Sequence, residues 1–278
     1  MKIAVTSGKG GTGKTTISLL LAYAADNPQY IDCDAEEPNG HLFLKPKIEK
    51  RIPYTELVPK INEDICTFCG KCADACAYKA LVVMGEPLKK VMFFDELCHS
   101  CGACAYVCPV ENALVEVKKQ VGEIAIGKAG HIDFVMGQLN IGEASATQLI
   151  ASLKRDYMDK SKTVILDSPP GTSCTVVETI DGVDFVVLVT EPTPFGLSDL
   201  KLSVELVRDM GLPFGIIVNK HEDEKHLIED YAEEENIEIL YRLPFSKEFA
   251  EMYSKGNLPF EKYKNDFALV LKKIRERL

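Results

Sequence analysis

The chain has 278 residues, 46% of them hydrophobic, and a mean hydropathy of −0.02, enough to bury the core of one large domain and a small one. A formal charge of −10 and a pI near 5.1 exclude a general electrostatic grip on nucleic acid or anionic lipid, which needs surplus lysine and arginine. No apolar run reaches the roughly 18 to 20 residues of a membrane span, and a first strand starting at Lys2 leaves no room for a signal peptide, so a cytoplasmic protein is expected.

The first strand is expected over Lys2 to Thr6, and it runs into SGKGGTGKTT, which contains G-x-x-x-x-G-K-T from Gly8 to Thr15. A strand before this motif and a helix after it, here Lys14 to Ala25, mark a phosphate-binding loop. Gly8, Gly10, Gly11 and Gly13 let the backbone curl around Thr12 so that N–H groups point at phosphate oxygens. The helix N-terminus at Thr15 and Thr16 adds partial positive charge. In such a loop Lys14 neutralises the β and γ phosphates and the Thr15 hydroxyl can ligate Mg²⁺, so ATP or ADP with Mg²⁺ is the expected ligand. A second strand, Gln29 to Asp32, leads into YIDCDAEEPNG.

From Leu57 to Val117 the alternation of strand and helix stops and a cysteine-dense segment takes over. The pattern C-x2-C-x2-C-x3-C occurs twice, at Cys66, Cys69, Cys72, Cys76 and at Cys98, Cys101, Cys104, Cys108, an internal duplication. Ten cysteines without a secretory signal point to thiolate chemistry rather than disulfides. The alternation then resumes. Strands are expected over Ile132 to Met136, Thr163 to Asp167, Asp184 to Thr190, Phe214 to Val218 and Ile237 to Leu240. The intervening helices are expected over Glu143 to Tyr157, Phe195 to Met210, Asp223 to Glu234, Ser246 to Tyr253 and Lys262 to Leu278. This rhythm predicts an α/β fold, a mostly parallel sheet wound on both faces by helices. Residues 1–56 and 118–278 would form it, and 57–117 would be a small inserted α+β domain.

Lys9 in KGGTGKT gives the loop a second lysine near its start. This resembles the deviant Walker A motif of the MinD, ParA, Mrp and nitrogenase iron protein superfamily, in which that lysine reaches across a face-to-face dimer to the partner's ATP. The resemblance implies an ATPase that hydrolyses ATP as a homodimer or as a heterodimer with a related ATPase. It continues in YIDCDAEEPNG, where Asp34 matches the aspartate that positions the attacking water, and in VILDSPPGTSC. There Asp167 would contact Mg²⁺ through water and Gly171 would lie near the γ phosphate. Asn219 in FGIIVNK resembles the family's adenine-reading asparagine, although asparagine after a strand is also a common turn former. Leu243 to Phe245, with Pro244 at its centre, resembles the loop that packs on the base.

The doubled cysteine run resembles an eight-cysteine bacterial ferredoxin, in which each half gives three thiolates to one 4Fe–4S cluster and its fourth to the other. It implies one cluster on Cys66, Cys69, Cys72 and Cys108, and a second on Cys98, Cys101, Cys104 and Cys76. Pro109 follows the second run as the pattern expects, but Ala77 stands where the first would have proline. Zinc is the chemical rival, disfavoured by two complete four-cysteine runs. The clusters would either brace the insert or conduct electrons.

Cys33 is expected in the core. Cys174 stands at the interval from Asp167 at which the nitrogenase iron protein resemblance places a shared ligand, but GQLNIGEAS lacks the second cysteine such a cluster needs. Three functions fit: an ATP-gated electron-transfer protein, which leads from the sequence; an iron–sulfur or metallocofactor assembly or carrier ATPase; and a spatial-organising ATPase with structural clusters. Carriers of the Mrp kind resemble one another in a C-x-x-C near the C-terminus, and no cysteine follows Cys174 here, which lowers the carrier reading. A redox or metallocofactor partner protein is expected, and no nucleic acid. The last segment, FALVLKKIRERL, could be an amphipathic membrane anchor or, with no flexible linker before it, a helix packed on the sheet.

Overall fold

The computed structural model describes residues 1–222 and 226–278 and divides into two compact units. Unit 1 comprises Met1–Arg51, Ile124–Gln138 and Thr147–Leu278; unit 2 comprises Ile52–Glu123 and Leu139–Ala146.

Unit 1 opens with β1 (Lys2–Thr6), α1 (Lys14–Ala24), β2 (Pro28–Asp32) and α2 (Gly40–Leu44). The chain enters unit 2 within β3 (Lys47–Ile61), and α3 (Lys71–Ala75), β4 (Leu81–Met84), β5 (Lys90–Phe93) and α4 (Ala103–Tyr106) follow. It returns within β6 (Leu114–Ala129), which Gly130 and His131 join to β7 (Ile132–Leu139). Next come α5 (Thr147–Ser152), β8 (Thr163–Asp167), α6 (Cys174–Ile180), β9 (Phe185–Thr190), α7 (Pro194–Asp209) and β10 (Phe214–His221). Finally come α8 (Leu227–Glu234), β11 (Ile239–Pro244), α9 (Lys247–Ser254) and α10 (Phe260–Arg275).

The sheet order is β11-β10-β9-β1-β8-β2-β7-β6-β3, parallel from β11 through β7. The α/β fold with a large, mostly parallel sheet flanked by helices is the one the sequence predicts. Its central strands are continuous apolar runs because both faces are covered. Ile3, Val5, Ile165 and Val187 join one cluster with α1 and α10, while the alternate residues Ala4, Leu166, Val186 and Leu188 are equally buried. The apolar face of α10 is spent in that core: Phe267 and Ile274 are wholly buried. Among the described residues no helix is long and apolar enough to cross a membrane.

Several expected elements move. The helix expected from Glu143 begins at Thr147, and its last turn, Leu153–Tyr157, is π-wound. The buried Gln29 amide explains that ending, donating to Tyr157 O at 2.9 Å while its oxygen accepts from Asp159 N at 2.8 Å. The strand expected over Ile237 to Leu240 lies at Ile239–Pro244. The helix expected from Asp223 starts, as described, at Leu227; residues 223–225 lie outside the described residues. The long strands β3 and β6 were not expected. Pro53 and Pro59 argue against a strand interior, yet β3 is the sheet's edge, where a missing N–H is tolerated.

In unit 2, β4 and β5 pair antiparallel, Leu81 opposite Phe93. The duplication read from the cysteines recurs in the backbone. Phe68 and Ser100 both have left-handed φ (53° and 50°), and Gly70 and Gly102 (79° and 73°) precede α3 and α4. Equal spacing of cysteines has produced equal local folds.

Candidate functional site

In unit 1 the site gathers at the carboxyl ends of the parallel strands, where such sheets bind ligands. A cavity of about 1330 Å³, open to solvent, is walled by Gly10, Gly11, Gly13, Lys14, Thr15, Thr16, Asp34, Asn219 and Pro244, all singled out from the sequence. Gly8, Lys9, Thr12, Asp167 and Gly171, also singled out from the sequence, do not line it. Gly13 caps α1 with φ 92°, and a Cβ there would lie 2.2 Å from Asn219 Nδ2, so only glycine fits. Gly171 N donates to Ser7 O at 2.9 Å, tying the loop after β8 to the phosphate loop.

The charges of three aspartates act on one lysine that lines this cavity. Burial lowers the Lys14 pKa, and the charges of Asp167, Asp34 and Asp32 pull it back up. Asp167 is fully enclosed: Ser18 Oγ donates to its Oδ1 at 2.9 Å, Tyr30 Oη donates to its Oδ2 at 2.8 Å, and the Thr15 hydroxyl also bonds it. Asp32 accepts from Asp34 N at 3.2 Å and from Gly40 N at 3.0 Å. Burial raises the pKa of both buried aspartates. Burial, and next the charge of Asp167, raise Asp34 to about 6 against the opposing pull of Lys14. Carboxyl and hydroxyl oxygens beside Lys14 are donors of the type a hard divalent cation such as Mg²⁺ takes, and a bound cation would favour the ionised carboxylates that burial disfavours.

Asp34 supplies a prediction for the nucleotide-free protein. Its folded pKa of about 6 lies above the ordinary 3.8, so its contribution to stability is complete below about 3.8 and is lost as pH rises through about 6. Each pKa unit is worth about 1.4 kcal/mol, and partial exposure of the group reduces that, so Asp34→Asn should stabilise by about 1–2 kcal/mol at pH 7 and flatten the decline. Thermal unfolding of both proteins between pH 4 and 8 checks this, and identical pH slopes would contradict it.

Sequence reasoning missed Tyr30 and Ser18, which hold Asp167. Tyr30 was legible in principle, since it stands two residues before Asp32 on one strand and therefore on the same face. It also missed Glu191, whose Oε1 lies 2.9 Å from Lys9 Nζ, and the aromatic wall of Phe249 and Tyr253. Asn219 Nδ2 donates to Thr12 O at 2.8 Å and its Oδ1 accepts from Lys220 N at 2.9 Å, so the side chain supports the phosphate loop while lining the cavity.

Unit 2 holds two cavities of about 380 and 390 Å³. Cys66, Cys69, Cys72 and Cys108 line the first among Ile61, Val83, Val91 and Leu114. Cys76, Cys98, Cys101 and Cys104 line the second among Leu57, Leu81 and Phe93. Each therefore receives three sulfurs from one run and the fourth from the other. Backbone N–H groups already point at sulfur: Phe68 N to Cys66 Sγ at 3.4 Å, and Ala80 N to Cys76 Sγ at 3.3 Å. Burial pushes the Cys104 thiol up to about 11, so it keeps its proton near neutral pH unless a cation offsets the thiolate charge. Among the described residues no three His, Cys, Asp or Glu side chains stand at metal-holding distances. Cys174 is exposed and Cys33 buried, both in unit 1 and apart from these cavities.

Residues 3–260 match the model of the CobQ/CobB/MinD/ParA nucleotide binding domain. The chain belongs to this family. It is 32% identical to the uncharacterized protein MJ0579 of Methanocaldococcus jannaschii over 99% of this chain and 96% of that one. It is 26% identical to an iron-sulfur cluster carrier protein of Rickettsia conorii, over 94% of this chain and 68% of that protein. In fold it is similar to the septum site-determining protein MinD of Pyrococcus horikoshii in complex with Mg-ADP, with a TM-score of 0.55 and 19% identity over 99% of this chain and 94% of that one.

Proposed function

We propose that this member of the MinD/ParA group is an ATPase that holds two 4Fe–4S clusters in unit 2 and uses nucleotide state to govern delivery of an iron–sulfur cluster to a partner protein. Two cavities each lined by four cysteines, within a nucleotide-binding chain, carry this reading. Relatives named iron-sulfur cluster carrier proteins favour delivery over the electron transfer that leads from the sequence. Electron transfer to a redox partner stands second, supported by the presence of two four-cysteine cavities within unit 2 and by the absence of any cysteine after Cys174.

In this reading the phosphate loop grips the triphosphate and Lys14 offsets its β and γ charge. Thr15 and Asp167 would hold Mg²⁺, which when bound neutralises phosphate charge. Asp34 orients the attacking water, Gly171 faces the γ phosphate, and Pro244 with Asn219 borders the base. Lys9 completes the site of a second copy, so hydrolysis requires a dimer. The eight cysteines would hold the clusters as the two cavities group them. The chain enters unit 2 through β3, shortly after Asp34, and this places the cysteines downstream of the segment that senses the γ phosphate.

The test uses protein prepared and handled without oxygen, incubated with an apo-ferredoxin and with ATP, ADP or neither. Delivery predicts that iron leaves this protein and appears in the acceptor at least several-fold faster with one nucleotide state. Iron that stays while its midpoint potential moves with nucleotide would replace delivery by electron transfer. Protein that contains no iron would end both readings.

A further inference from the structure

Strands β1 and β9 lie side by side in parallel, with Thr6 opposite Leu188, so the residues that follow them emerge together at the carboxyl edge of the sheet. Lys9 follows β1 and Glu191 follows β9. Lys9 Nζ lies 2.9 Å from Glu191 Oε1, and Lys220 Nζ, from the end of β10, lies 3.1 Å from Glu191 Oε2. One carboxylate thus holds two lysines, one on each oxygen.

Each partner is itself fixed. Ser7 Oγ donates to Lys9 O at 2.7 Å, holding the loop at the position of the lysine. Lys220 has a left-handed φ of 52°, unfavourable for a long side chain, and its N–H is held by Asn219 Oδ1. Glu191 is only 17% exposed. Burial raises its carboxyl pKa, but the bonds from Lys9 and Lys220 outweigh that and leave it below the ordinary value.

We infer that Glu191 is a positioning residue for Lys9: it keeps the Lys9 ammonium within its own subunit until a second copy of this chain offers nucleotide phosphates in its place. The restraint stands on the distances above, and the exchange rests on the dimer proposed for this site. A triphosphate carries several negative charges against the single charge of Glu191, so it wins the lysine once within reach. Lys220 makes release cheap. When Lys9 departs, the half-buried carboxylate keeps a cation on its other oxygen instead of being left unpaired, the condition that otherwise makes breaking such a pair costly. Glu191 thereby sets the nucleotide and protein concentration at which two copies assemble, and it keeps an unpaired lysine from drawing chains together without ATP.

The restraint is read first in the nucleotide-free protein, by acetylating lysines with sulfo-N-hydroxysuccinimide acetate and following the Lys9 peptide by mass spectrometry against that of exposed Lys50. Glu191→Gln is expected to speed Lys9 acetylation at least threefold. Lys220→Met leaves the carboxylate to Lys9 alone and is expected to slow it about twofold. Circular dichroism confirms that each variant is folded, and the two variants act in opposite directions, so general loosening cannot mimic the result. Lys9 labelling that matches the wild type in both variants overturns the inference. The exchange is read by sedimentation velocity with ATP and Mg²⁺: Glu191→Gln should assemble at about tenfold lower protein concentration, and adding Lys9→Met should erase that gain. A gain that survives Lys9→Met also overturns the inference. If labelling responds but the wild type never assembles with ATP, the dimer reading falls and the Lys9–Glu191 restraint stands.

Discussion

Replacing Lys14 by methionine is expected to lower ATP hydrolysis by about 10²–10³-fold, the scale on which removal of one preorganised electrostatic partner acts in a phosphoryl or acyl transfer site. The side chain is buried at the base of the unit 1 cavity, with Asp167, Asp34 and Asp32 raising its pKa against desolvation. Without it the triphosphate would meet three carboxylates with no lysine among them, and repulsion would weaken binding as well as turnover. Calorimetric titration with ATP and steady-state kinetics, measured separately, distinguish the two losses. The methionine stem fills the same volume but leaves the carboxyls of Asp167, Asp34 and Asp32 without their lysine, so Tm should shift as well and is measured beside the kinetics. A variant that hydrolyses ATP within about tenfold of the wild type would show that Lys14 does not face the transferred phosphate.

The second large effect belongs to the cysteine that each cavity receives from the opposite run. Cys76→Ala removes one of four sulfurs from the cavity of Cys98, Cys101 and Cys104, yet Cys76 directly follows α3, whose Cys72 lines the other cavity. Iron in anaerobically prepared protein should fall from roughly eight atoms per chain to four or fewer, because loss of one cluster releases the segment that shapes the other. Bound clusters would support unit 2 where apolar area alone is scarce: Leu57, Val82, Leu88 and Leu97 are all more than two-fifths exposed. The unfolding midpoint should therefore fall with the iron. Cys174→Ala and Cys33→Ala supply the control, since both residues lie in unit 1 and outside both cavities. Full iron content in Cys76→Ala would remove Cys76 from the ligand set.

Much of the fold was legible because its signals are local. The strands of the sheet interior are apolar on both faces, so runs such as VILD and FVVLVT declare themselves, and β1, β8 and β9 lie where the sequence puts them. The helix expected over Ser246 to Tyr253 begins with a serine cap, and Ser246 Oγ does accept from Phe249 N. Elements that depend on their neighbours were not legible. Strand β3 carries Pro53 and Pro59, which a strand accepts only at an edge, and no local pattern says which strand will be the edge. The last turn of the expected helix over Glu143 to Tyr157 winds differently because Gln29, far away in sequence, takes its carbonyl.

By itself the sequence determined the chemistry that consecutive residues make: a glycine-rich loop with its lysine and threonine, two spaced runs of cysteine, and the apolar strands of a covered parallel sheet. Only the tertiary structure decided which of these meet. The order β9-β1-β8-β2 brings the ends of four distant strands together, so Tyr30 and Ser18 enclose Asp167, and Glu191 takes Lys9. The physical reason is the same in each case: a short-range electrostatic or hydrogen-bonding partner is chosen by distance in space, and residues more than a hundred positions apart share no sequence period from which that distance could be read.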